Sequence, residues 1–113
     1  EKMKRYCLAL DLKNDPLLIR KYIDYHKDVW PEISKSIKDS GIIDMQIYNL
    51  IDRLFMIIET EDDFSFEKKK KMDSQNPYVI KWEQMMSKFQ KPILINDDGE
   101  KWILMEKIYE LVK

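Results

Sequence analysis

The stretch YIDYHKDVWPEI, residues 22–33, holds the only histidine of the sequence, His26. Tyr22, Tyr25 and Trp30 surround it, and Pro31 interrupts the segment. Imidazole titrates near pH ~6.5, so it can both give and take a proton at neutral pH. Tyr22, His26 and Trp30 are spaced by four, which stacks them on one face wherever the helix is unbroken. A tyrosine one turn away can orient the imidazole or bind a substrate hydroxyl. Tryptophan faces suit the apolar face of a sugar ring, and neighbouring polar groups suit its hydroxyls. Taken by itself, one histidine among aromatics is more often packed than catalytic.

Other chemistries lack their residues. One histidine and one cysteine, Cys7, cannot supply a zinc site of the usual kind. No calcium-loop pattern is present, and two glycines, Gly41 and Gly99, cannot form a glycine-rich phosphate loop. There is no nucleophile elbow. What remains is acid–base chemistry with no cofactor and no metal. Twenty basic residues face twenty-one acidic ones, so nothing electrostatic calls for nucleic acid or an anionic membrane as partner. No apolar run approaches the roughly 18 residues of a membrane span. A single cysteine excludes an intramolecular disulfide and fits a reducing compartment. With no secretion signal visible, the expected location is the cytoplasm. Lys68 to Lys71 read as a solvated helix face, and Cys7 reads as an inert strand residue. Met85, Met86, Trp82 and Phe89 fit either core or a pocket wall.

The elements that would position these residues follow from pattern. The length, with 44% apolar residues, suits one domain over residues 1–113. MKRYCLALDL, residues 3–12, reads as a strand. Asp15 is an N-cap and Pro16 a first-turn residue, so a helix follows from about Leu17. The position before proline disfavours helix, so a break is expected near Val29 and a restart at Pro31. Gly41 ends that second piece. IIDMQIYNL, residues 42–50, and RLFMIIET, residues 53–60, form a hairpin across Ile51 and Asp52. A helix from Glu67 to Met72 is capped by Ser65 or Asp63, and Asn76–Pro77 restarts another. There Val79, Trp82, Met86 and Phe89 make an apolar stripe. A polar loop at NDDGE leads to a last strand, KWILMEKIYEL. The order is βαββαβ, an α+β, ferredoxin-like arrangement.

LFMIIE, residues 54–59, does not alternate, whereas a strand with one wet face should. It is expected to be buried on both faces. The helices cover one face. A second copy of the chain would cover the other, giving a dimeric α+β barrel; the alternative cover is the chain's own C-terminal segment.

MKRYCLALDL, YHKDVWPEI, DSGIIDMQIY, RLFMIIE, MDSQNP and GEKWILMEKIY together resemble the L-rhamnose mutarotase family, with its relatives acting on L-fucose. The resemblance runs over nearly the whole chain, and H-x-x-x-W-P-E at His26, Trp30, Pro31 and Glu32 is its most specific motif. It implies a dimeric α+β barrel that interconverts the α and β anomers of a 6-deoxy-L-hexose without cofactor or metal. The family's proton-donating histidine falls on His26 and its sugar-binding tyrosine on Tyr22. Its tandem tryptophans fall on Trp82 and, as a departure, Glu83. Its binding tyrosine on the second strand falls on Met45, a second departure. Tyr48 lies three residues on, which puts it on the opposite face of a regular strand. MKRYCLALDL and MDSQNP look closer to the L-fucose members than to the enterobacterial rhamnose type. Two other readings share the architecture or the ligand. One is a cofactor-free oxygenase of the dimeric barrel class, and the other is a non-catalytic sugar-binding module.

Overall fold

A computed structural model describes residues 3–94 and 100–112. The first strand, β1 (Met3–Leu12), runs into Asp15, whose carboxylate accepts from the backbone of Leu17 at 2.9 Å and caps α1 (Pro16–Tyr25). The chain then breaks. Trp30 is held extended before Pro31 at ψ 137°, and α2 (Pro31–Asp39) starts with that proline in its first turn. Gly41 follows at φ +99°, a conformation that side-chain-bearing residues rarely adopt. β2 (Ile42–Leu50) and β3 (Arg53–Glu61) form the expected hairpin. Its turn carries Ile51 at φ +57°. Ser65 caps α3 (Phe66–Ser74), and Asn76 caps α4 (Pro77–Ser87).

The sheet order is β2-β3-β1-β4, all antiparallel, as in a ferredoxin-like fold. The fourth position differs from expectation. The anticipated strand over KWILMEKIYEL is reduced to β5 (Ile103–Leu104), beside Leu8 and Ala9. A segment not anticipated as strand, β4 (Gln90–Lys91), takes the same edge of β1 at Leu12 and Asp11. With one end of that edge occupied, the C-terminal segment finds room only further along. The Met105 amide bonds to the Cys7 carbonyl at 2.8 Å. Beyond it Ile108, Leu111 and Val112 are exposed. Apart from Glu100, the NDDGE loop lies outside the described residues.

The helices cover one face of the sheet. Leu8, Leu10, Leu12, Leu54 and Ile58 are buried on it; Leu12 and Leu54 pack with Tyr22, Ile33, Val79, Trp82, Met86 and Phe89, while Leu8 and Ile58 pack with Ile42 and Phe64. Burying each aliphatic side chain of this kind contributes about 1.5–3 kcal/mol. The other face carries Cys7, Ala9, Phe55 and Ile57, half-buried, with Tyr48 and Leu50 exposed. Arg53 donates to Asp11 at 2.8 and 3.1 Å, and Arg5 pairs with Glu59 at 3.5 Å, flanking this apolar patch. LFMIIE therefore does present apolar side chains to both faces. The C-terminal segment does not cover the outer one, since residues 104–112 are all exposed.

One irregularity aims a site residue. The β2–β3 register shifts between Ile42 and Asp44. Such a bulge adds one residue and reverses the alternation beyond it. Ile42, Met45 and Ile47 thus share the inner face, while Tyr48 is 55% exposed on the outer one.

Candidate active site

A cavity of about 750 Å³ lies between the inner sheet face and the helices. Small-molecule sites commonly have volumes of about 300–1,000 Å³. The five residues singled out from the sequence, Tyr22, His26, Met45, Trp82 and Glu83, all line it.

His26 is the C-cap of α1. There the last turn tightens, and the His26 amide bonds to the Ile23 carbonyl at 3.0 Å. The Tyr22 carbonyl is left for the imidazole, with Nδ1 at 2.8 Å. A carbonyl only accepts, so Nδ1 carries hydrogen and Nε2 is the nitrogen left to gain or lose a proton. The ring lies between two neighbours, tilted at 4.5 Å against the Tyr22 ring and edge-on at 5.7 Å to Trp82. Backbone and side chain of Tyr22 together fix this imidazole.

Tyr22 itself is 3% exposed. Burial pushes its phenol up to about 12; the Gln90 hydrogen bond opposes this and the Glu83 charge adds to it. It is a neutral hydroxyl at physiological pH. Trp82 is buried, and Trp30 packs edge-on behind it at 5.1 Å. Trp30 does not line the cavity, so it braces Trp82 across the helix break. Glu83 pairs with Lys101 at 2.8 Å, and Lys101 also donates to Ser87 at 2.9 Å. This joins α4 to the segment before β5.

Some lining residues escaped sequence reading. Gln90 contacts Tyr22 and is 6% exposed. Lys69 and Lys70, assigned to a solvated face, line the cavity. Lys69 pairs with Asp73 at 2.5 Å and Lys70 with Glu100 at 3.4 Å. Only Lys69 is half-buried; Lys68, Lys70 and Lys71 are exposed, as a solvated face requires, and helix rotation decides which lysine of the run turns inward. Met86 and Trp82 prove to be both core and cavity wall, whereas Phe89 is core only. Among the described residues, no three His, Cys, Asp or Glu side chains converge as metal ligands. No helix among them is long and apolar enough to cross a membrane.

The L-rhamnose mutarotase family model matches residues 5–111. The chain belongs to that family. Its members are isomerases acting on carbohydrates. A curated relative, an L-fucose mutarotase from Xanthomonas campestris pv. campestris, is 35% identical over 96% of this chain and 89% of its own length. Among solved structures, L-rhamnose mutarotase from Formosa agariphila superposes with TM-score 0.71 at 21% identity, covering 96% of this chain and 98% of its own. A dimeric ferredoxin-like protein from an uncultured marine organism gives 0.58 at 14% identity, covering 97% and 93%. These structural likenesses support the ferredoxin-like α+β fold read from the element order. Within the mutarotase family the cavity described above is the candidate active site.

Proposed function

We propose that the protein interconverts the α and β anomers of a 6-deoxy-L-hexose, with L-fucose as preferred substrate and L-rhamnose as the next candidate. The observation that carries this reading is an imidazole fixed through Nδ1, with Nε2 available, beside a neutral phenol and a tryptophan in one cavity. Kinship with an L-fucose mutarotase supports the choice of sugar.

Anomer exchange needs a proton on the ring oxygen and one taken from the anomeric hydroxyl. The C1–O bond breaks, the aldehyde rotates, and the ring closes on its other face. His26 donates the first proton from Nε2 and recovers it on closure. A positioned general acid–base group is typically worth about 10²–10⁴-fold. Tyr22 and Trp82 hold the sugar, Met45 contributes apolar wall, and Glu83, braced by Lys101, binds hydroxyls or takes the second proton. These residues require no cofactor for this step. A second copy of the chain covers the outer sheet face, giving a homodimer. The single thiol fits a reducing compartment such as the cytoplasm.

Exchange NMR on the anomeric protons of L-fucose and L-rhamnose tests the reading. The native protein should accelerate exchange, and His26→Ala should lose about 10²–10⁴-fold while keeping its melting temperature within a few degrees. Exchange at the solvent rate in the native protein would overturn it.

A further inference from the structure

Gln90 sits beneath the cavity on β4, paired with Leu12 of β1. Its Nε2 donates to the Tyr22 hydroxyl oxygen at 3.3 Å. Its Oε1 is buried and has no hydrogen-bond partner among the described residues. A buried acceptor left unpaired is costly, and an apolar side chain of the same shape would avoid that cost. Yet the amide stands between Phe89, its neighbour in sequence, and Leu12, its partner across the strands, both members of the apolar core.

The arrangement makes sense through Tyr22. A phenol has one hydrogen and two lone pairs. With the amide N–H occupying one lone pair, the hydroxyl hydrogen is left uncommitted beside the cavity. We propose that Gln90 is a positioning residue: its amide holds the Tyr22 hydroxyl so that its hydrogen is donated to a sugar oxygen. This rests on the sugar-binding reading above and adds the direction of that hydrogen bond.

Gln90→Glu and Gln90→Met test it, read by anomer exchange and by sugar titration. The titratable and charged groups that line the same cavity are Tyr22 and His26 of α1, Lys69, Lys70 and Asp73 of α3, Glu83 of α4, and Glu100 and Lys101 before β5. A protonated glutamic acid donates to the phenol as the amide does. Its carboxylate can only accept, and so captures the Tyr22 hydrogen. The ratio of variant to native KM in Gln90→Glu should therefore rise about tenfold as pH increases through the new carboxyl's titration. Gln90→Met should show a raised ratio that pH does not move, with kcat changed less than KM. A Gln90→Glu variant with native KM at every pH would overturn the proposal.

The unaltered protein offers an independent measure. The Gln90 side-chain amide protons, assigned through their proximity to the Tyr22 ring, should shift on titration with L-fucose or L-rhamnose. Sugar binding with no such shift also overturns the proposal. If the native protein binds sugar without accelerating exchange, the mutarotase reading falls while these shifts still decide the role of Gln90. Absence of any sugar binding removes both.

Discussion

His26 and Tyr22 divide two tasks within one helical turn. The Tyr22 carbonyl orients the imidazole, while its hydroxyl meets Gln90, a second residue of the same cavity wall. This coupling makes Tyr22 the more revealing position for pH. Its ordinary pKa of 10.0 is raised to about 12 in the folded protein. Below pH 10 neither folded nor unfolded chain ionises there, so Tyr22 adds no pH dependence. Between about 10 and 12 the unfolded chain loses the proton first, and stability falls as pH rises. Above 12 the loss levels off, at about 2–3 kcal/mol. Tyr22→Phe removes this contribution. The stability gap between native protein and variant should shift by that amount in the variant's favour from pH 9 to 12, measured by urea unfolding. At neutral pH the same variant should raise KM for sugar about tenfold.

At the scale of elements, the site depends on where helices start and stop. Asp15 satisfies the free amides of Leu17 and Leu18 at the start of α1, the helix that carries Tyr22 and His26. Asp15→Ala should cost about 1 kcal/mol and lower the melting temperature by a few degrees in a thermal scan. The break before Pro31 was legible because a pre-proline residue is pushed out of the helical region. The bulge between Ile42 and Asp44 was not legible in advance. It depends on how β2 lies against β3, and it puts Met45 inward while Tyr48 stays outward. The family pattern has a binding tyrosine at the place of Met45, and Tyr48 is on the wrong face to replace it.

For the whole molecule, the outer sheet face asks for cover. Phe55, Ile57, Cys7 and Ala9 form an apolar centre between two ion pairs, and the chain's own tail leaves them open. Symmetric pairing of two such faces gives a closed dimer. Light scattering should report about twice the 13.8 kDa of one chain. Ile57→Asp should leave a monomer where the proposed pairing gives a dimer, because it puts an unpaired charge at the centre of the face. An unchanged mass in that variant would place the interface elsewhere.

The sequence sufficed for the element order as far as α4, the cap at Asp15, and the restarts at Pro31 and Pro77, and through the family resemblance it singled out five residues that line the cavity. Those features are local: proline geometry, capping side chains and periodicity act over a few residues, and the family resemblance spans the whole chain. Only the packed chain fixes that β4 and β5 share one edge of β1, that Lys69 turns inward while Lys70 stays exposed at the cavity rim, and that Gln90 meets Tyr22 across 68 positions of sequence. These depend on helix rotation, strand register and competition for a single row of backbone hydrogen bonds. None of those is written in the spacing of neighbouring residues.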